Sequence, residues 1–78
     1  GIEETDTDEI KEAEGIIERI SEVIIDGSSH YFIKLGNNDR LFDVDVVNNI
    51  DILNYGVNSN VKFSYTEGVD YNIVSDIK

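Results

Sequence analysis

The sequence contains no cysteine, which excludes a disulfide framework and any metal site built on cysteine ligands. Stability must therefore come from packed isoleucine, valine, phenylalanine and tyrosine side chains. Long apolar runs are also missing, and none approaches the roughly 20 residues needed to span a bilayer. The opening run GIEETDTDEI lacks the basic and apolar regions of a signal peptide. We expect a soluble chain without membrane insertion, and the sequence indicates no particular compartment.

Catalytic motifs are scarce as well. His30 is the only histidine, so a nucleophile-base triad would need Ser28 or Ser29, which lie in the adjoining turn without nucleophile-elbow glycines. The sequence has no GxGxxG or GxxxxGK(S/T) phosphate loop and no EF-hand spacing. We therefore predict no enzyme activity, no cofactor and no metal site. His30 is interpreted as an ordinary exposed strand histidine.

Length and charge indicate one small acidic domain. A chain of 78 residues buries only about 60% of its unfolded-state surface, so it can build a single thin core. The formal net charge is −11, and residues 1–14 carry −6 of it through seven acidic side chains and one lysine. We predict a disordered acidic linker or tail over residues 1–14 and a folded domain over residues 15–78. Because the chain starts at Gly1 and opens on a polar run, we expect it to be part of a larger protein.

The first structured element is predicted to be a long, bent strand from Gly15 to Ile25. An amphipathic helix over Asp6 to Ile25 is the alternative, since several apolar residues recur at helical spacing. A glycine inside that helix and the dense β-branched set after it favour the strand. Ile17 and Ile20 are an odd number of residues apart, so a bulge near residues 18–21 is needed to turn both inward.

Two further strands follow, each after a tight polar turn. Residues 26–29 and 36–39 supply the turns, because glycine, asparagine, aspartate and serine favour turn conformations. The strands run from His30 to Leu35 and from Arg40 to Val47, and both alternate apolar with polar side chains.

The turn length fixes a register for these two strands. Ile33 then pairs with Phe42 and Tyr31 with Val44, so the two apolar faces coincide. The opposite, outer face collects six side chains from both strands: His30, Phe32, Lys34, Leu41, Asp43 and Asp45. We interpret the two aspartates as solvated carboxylates that favour solubility and discourage edge pairing.

A connector and a closing hairpin complete the chain. Within residues 48–60, Ile50, Leu53 and Val57 have helix-like spacing, so a short helix or connector is predicted to plug one end of the barrel, with Asn48 or Asn49 as N-cap and Gly56 as its stop. A three-residue loop at residues 68–70 then joins two strands. This hairpin is predicted to pair Tyr65 with Ile73 and Val61 with Ile77.

The order of these elements resembles the oligonucleotide/oligosaccharide-binding (OB) fold. The resemblance covers residues 15–78 and is carried by Gly15, Ile17 and Ile20 in the first strand, the YFIKL run, Gly56, Val61 and Phe63 after the connector, and the closing IVSDI. It implies an all-β, five-stranded OB-like Greek-key barrel with a short helix or connector between strands 3 and 4. An SH3-like barrel and a helix packed on a four-stranded sheet are the alternatives.

Ligands of OB folds commonly lie across the outer face of strands 2 and 3, so the resemblance implies a site at the six residues of that face. Ser28, Ser29 and the loop of residues 68–70 flank it. Single-strand binders stack bases on aromatics and track phosphates with lysine and arginine, whereas this face has one aromatic, one lysine and two carboxylates, and the acidic body repels phosphates. We therefore expect a monomeric, non-catalytic module that binds a protein or peptide partner, with single-stranded nucleic-acid binding as the alternative.

Overall fold

Five β-strands close into a barrel. The computed structural model describes residues 9–78, and the strand order around the barrel is β1-β2-β3-β5-β4, with β4 returning to β1. The predicted all-β, five-stranded barrel is confirmed, and the alternative of a helix packed on a four-stranded sheet is wrong. The elements are β1 Lys11–Ile25, β2 Ser28–Leu35, β3 Leu41–Asp45, a 3₁₀ helix Ile50–Asn54, β4 Asn60–Thr66 and β5 Asn72–Ile77.

β1 is a bent strand that serves two parts of the barrel. Residues 11–16 pair with β4, and residues 17–25 pair with β2. The predicted bulge is confirmed, since the register shifts between Ile17 and Arg19 and lets Ile20 pack toward the core as Ile17 does. The helical alternative is wrong.

The first strand begins four residues earlier than predicted, at Lys11 instead of Gly15. Residues 11–14, assigned from the sequence to the acidic tail, therefore lie in the sheet. Ala13 packs against the core, and backbone pairing with β4 holds its charged neighbours in place. Of the rest of the predicted tail, residues 9–10 are exposed and precede the strand, and residues 1–8 lie outside the described residues.

The β1–β2 turn is tighter than predicted. Ile25 pairs with Ser28, so the loop contains only Asp26 and Gly27, and both have positive φ, at 51° and 82°. Two successive positive φ values define a type I′ turn, whose twist matches that of the flanking strands. β2 consequently starts at Ser28, two residues before the predicted start.

The β2–β3 register agrees with the sequence, because Ile33 pairs with Phe42 and Tyr31 with Val44. β3 ends at Asp45, two residues before the predicted end. Both paired apolar sets point into the barrel, where Ile33, Phe42 and Val44 are fully buried.

The connector does plug the barrel, but through a different residue from those predicted. Ile52 is fully buried, whereas Ile50, Leu53 and Val57 are more than half exposed. The element is a five-residue 3₁₀ helix, and so short a helix can turn only one side chain fully into the core. Asn49 occupies the N-cap without a side-chain capping bond, and its Nδ2 donates instead to the carbonyl oxygen of Asp45.

The predicted register of the closing hairpin is wrong. Tyr65 pairs with Val74 rather than Ile73, and Ile77 pairs with Phe63 rather than Val61. A register shift between Ser64 and Tyr65 interrupts the alternation. Val74 is consequently buried, whereas Ile73 is 47% exposed.

The core is aromatic at its centre. The ring of Phe42 lies 4.8 Å from that of Phe63 and 5.0 Å from that of Tyr65. The weakest seam is the parallel contact of β3 with β5, where only Phe42 with Asn72 and Asp43 with Ile73 are paired. The buried hydrophobic residues are Ile17, Ile33, Leu35, Phe42, Val44, Val46, Ile52, Val61, Phe63, Tyr65 and Val74.

Candidate functional site

The six residues predicted for the outer face do lie together on β2 and β3. Register pairs Lys34 with Leu41, Phe32 with Asp43 and His30 with Asp45. Because directly paired residues share a face of a sheet, the six side chains form one surface. Their role as a binding site stays a prediction.

His30 and Asp43 form a closed pair on this face. Nδ1 of His30 lies 2.7 Å from Oδ1 of Asp43, and the two side chains are only 16% and 11% exposed. The interpretation of His30 as an exposed histidine and of Asp43 as a solvated carboxylate is therefore wrong. Their mutual hydrogen bond satisfies two polar groups that the sheet has partly removed from water. Alternation placed both residues on one face but gave no measure of their burial.

Asp45 is held in a different way. Its Oδ2 accepts a hydrogen bond of 2.9 Å from Nδ2 of Asn48, whereas its Oδ1 is buried without a partner among the described residues. An unpaired carboxylate oxygen is costly in such a position. Within residues 9–78, no three His, Asp or Glu side chains are grouped so as to hold a metal ion.

Lys34 is engaged by its surroundings. Its Nζ donates to the carbonyl oxygen of Leu35 at 2.7 Å and lies 3.4 Å from Oε1 of Glu18. The lysine side chain is 20% exposed. This cation is therefore oriented along the sheet by protein acceptors.

An open, mainly apolar groove of about 500 Å³ crosses the outer face. Phe32 and Leu41 of the predicted face form part of it, and β1 supplies the rest through Arg19, Ser21 and Val23. The sequence analysis missed the β1 contribution because it assigned the site to strands 2 and 3 alone. The alternation of side chains after the bulge could have revealed the β1 contribution, since Arg19 pairs with Lys34 and Ser21 with Phe32 and paired residues share a face.

Tyr71 adds a second aromatic ring beside the groove. It follows the loop of residues 68–70, and its ring meets that of Phe32 edge to face, with centroids 4.9 Å apart and an angle of 80°. The loop was predicted to flank the site, but Tyr71 itself was missed. A smaller cavity of about 170 Å³ lies along the same loop, between Gly68 and Ile73.

The flanking serines belong to β2 rather than to a loop. The carbonyl oxygen of Ser29 accepts a bond of 3.1 Å from the backbone N–H of Val46. This backbone bond thus fixes the start of β2 next to His30.

Comparison with known proteins adds no family assignment: the chain matches no family model, no curated protein and no solved structure. The closed barrel and its strand order are compatible with an OB-like small barrel. Over residues 9–78, no helix has the length and apolar character required to cross a membrane.

Proposed function

We propose that this barrel is a non-catalytic module that binds a protein or peptide partner through the outer face of β2 and β3. The observation that carries the proposal is the apolar groove beside Phe32 and Leu41. Concave, mainly apolar surfaces with a few polar groups are typical of binding sites. Tyr71 supports the Phe32 ring from one side and leaves the groove side of that ring open to a partner.

The charges of the face favour a peptide over a nucleic acid. Lys34 is bonded to Leu35 and Glu18, and Arg40, directly before β3, is bonded to Asn72 and Gly68. Lys34 and Arg40 are committed to protein acceptors and contribute little to tracking phosphates, which leaves Arg19 as the one cation among the residues that line the groove. The net charge of −11 repels a polyanion further.

Selection of random peptides displayed on phage tests the proposal. Immobilised protein is expected to enrich peptides with an apolar anchor, and their affinity is expected to fall by about tenfold or more in Leu41→Ser, since burying one leucine is worth about 1.5–3 kcal/mol. Leu53→Ser is the matched control, because it makes the same change at a side chain that is 54% exposed in the 3₁₀ helix, outside the groove. Thermal unfolding monitored by circular dichroism establishes that both variants fold.

Two outcomes would overturn the proposal. One is enrichment of peptides that bind Leu41→Ser and the parent protein equally well. The other is binding of a fluorescein-labelled oligothymidine at an ionic strength of about 0.01 M, where electrostatic screening is weakest. If the oligothymidine also shifts the amide resonances of Phe32 and Leu41, the same face is the nucleic-acid site and the nucleic-acid alternative is favoured.

A further inference from the structure

The second half of β1 is paired along only one side. Residues 17–25 pair with β2, whereas pairing with β4 covers residues 11–16 and ends there. Within residues 9–78, no strand lies along the other edge of residues 19–25. The barrel therefore closes around the first half of β1 and leaves the second half as an open strand edge.

The turn identifies which backbone groups face outward. In a two-residue hairpin the flanking residues, Ile25 and Ser28, form a hydrogen-bonded pair, and hydrogen-bonded pairs then alternate along the strands. Ile24, Glu22 and Ile20 therefore direct their N–H and C=O groups away from β2. Ser29 lies opposite Ile24, and its carbonyl oxygen accepts a bond from the backbone N–H of Val46, on the far side of β2 from β1. Ser29 therefore directs its carbonyl group away from β1, as expected if Ile24 directs its own backbone groups away from β2.

The edge is accessible and has β-forming side chains. Ile24 is 62% exposed and Val23 is 42% exposed. Glu22 is exposed as well. A row of unpaired backbone groups on such a strand is a template for another extended chain. The same stretch forms one wall of the groove through Arg19, Ser21 and Val23.

We propose that this edge of β1 binds an extended, lysine-bearing segment of a partner protein as an added antiparallel strand. The proposal rests on the proposed function, and it names the partner and the mode of binding. In strand addition, backbone hydrogen bonds supply affinity and alternate side chains supply specificity. A lysine directly opposite Glu22 forms a favourable cross-strand pair, and its neighbours along the segment face the groove beside Val23.

Charge selects a basic partner over a second copy of this chain. Two β1 edges paired about a two-fold axis with fullest overlap would place Glu22 directly opposite Glu22 of the other copy. Like charges in that position are destabilising. Each copy also carries a net charge of −11. A lysine-bearing segment meets neither obstacle.

The probe is the peptide acetyl-Lys-Val-Lys-Val-Lys-Val-Lys-amide, titrated into ¹⁵N-labelled full chain. We expect the largest amide shifts at Ile20, Glu22 and Ile24. The analogue with glutamate in place of lysine is the charge control and is expected to bind at least about tenfold more weakly, because a like-charge contact with Glu22 replaces the attractive one and the net charge of −11 repels the acidic peptide.

N-methylation of the peptide tests the backbone contacts without altering the protein. Methylating all lysine amides blocks one edge of the extended peptide, and methylating all valine amides blocks the other. We expect methylation of the lysine amides to lower the affinity at least about tenfold and methylation of the valine amides to leave it unchanged, since a lysine opposite Glu22 directs its N–H toward β1. Loss confined to the valine-methylated peptide would overturn the pairing of lysine with Glu22. Equal affinity of both, or loss in both, would overturn strand addition.

Glu22→Pro tests the same contact from the protein side. Proline removes an N–H that faces away from β2, a position where edge strands tolerate it. Peptide affinity is expected to fall at least about tenfold in Glu22→Pro but only about threefold in Glu22→Gln, which keeps the N–H and loses the charge.

The failures of the two proposals are distinguishable. Absence of binding by the lysine-valine peptide overturns the strand addition, whereas phage-selected peptides that depend on Leu41 would still support the face proposal. Binding of the lysine-valine peptide that shifts residues of the 3₁₀ helix and leaves Glu22 unchanged also overturns the inference. A concentration-dependent dimer that is lost in Glu22→Pro would assign the edge to a second copy and overturn it as well.

Discussion

Removal of the Arg40 guanidinium is expected to weaken the closure of the barrel. Its Nε donates to Oδ1 of Asn72 at 3.1 Å, and its Nη2 donates to the carbonyl oxygen of Gly68 at 2.6 Å. These bonds tie the start of β3 to the β4–β5 hairpin beside the parallel seam, where only two residue pairs are formed. Arg40→Met keeps the apolar stem and deletes both bonds.

The magnitude follows from the burial of Asn72, which is 2% exposed. A buried acceptor left without its donor costs about 1–3 kcal/mol. Solvent can replace part of the Gly68 bond, because Arg40 itself is only half-buried. We therefore expect Arg40→Met to lower the free energy of unfolding by about 2 kcal/mol, which corresponds to a fall in Tm of about 8–16 °C for a domain of this size.

Urea unfolding followed by circular dichroism measures this change. Lys62→Met is the control, because Lys62 is 48% exposed and its ion pair with Glu12 spans 3.8 Å, so its loss is expected to cost less than about 0.5 kcal/mol. A double-mutant cycle with Asn72→Ala is expected to return a coupling energy of about 1 kcal/mol between the two sites. The reasoning is refuted if Arg40→Met unfolds within about 0.5 kcal/mol of the parent protein or if the two substitutions are additive.

Three further substitutions probe the core and the site. Gly68→Ala places a Cβ against the carbonyl oxygen of Tyr71, so we expect a loss of about 1–3 kcal/mol in urea unfolding and a shift of the Phe32 ring resonances; an unchanged spectrum would contradict this. Phe42→Ala removes the ring at the centre of the core and is expected to cost about 3–5 kcal/mol, leaving a domain of marginal stability, and a thermal midpoint near that of the parent protein would contradict it. Tyr71→Ser deletes the edge-to-face contact with Phe32 and is expected to cost about 0.5–1.5 kcal/mol in urea unfolding, and an unchanged free energy of unfolding would contradict it.

The parts of the fold that the sequence predicts are those set by local alternation. The register of Ile33 with Phe42 follows from two adjacent strands and a short turn, and the β1 bulge follows from the odd spacing of Ile17 and Ile20. A slip of one residue would turn either apolar set outward, so the pattern admits one solution.

The errors arise where a distant residue decides the local arrangement. β5 begins with Asn72 facing inward because Arg40, 32 residues earlier in the chain, supplies its hydrogen bond. A pattern based on hydrophobicity assigns that inward position to Ile73 instead. The 3₁₀ helix shows the same limitation, since the end of the barrel selects Ile52 over three apolar neighbours with helical spacing.

The candidate site was predictable as a face but not as a groove. Alternation places Phe32 and Leu41 on one side of β2 and β3, yet the wall from β1 depends on the phase that the bulge imposes on Arg19, Ser21 and Val23. Tyr71 has no periodic signal, because it lies in an irregular segment between β4 and β5. Asp43 is buried where β2 and β5 flank it on both sides, at Phe32 and Ile73, and this neighbourhood cannot be read from the alternation of β3 alone.

The acidic character of the chain counteracts the tendency of the open edge of β1 to pair with a second copy. A fully closed barrel removes its strand edges, whereas in the part of the chain that the structure describes residues 19–25 of β1 have a neighbouring strand on one side only. An exposed edge with Val23 and Ile24 would promote pairing between copies if the protein were neutral. Glu22 at the middle of the edge and the net charge of −11 oppose that pairing through local and long-range repulsion. In the proposed strand addition the same charges attract a basic segment, so one feature would oppose self-association and favour such a partner.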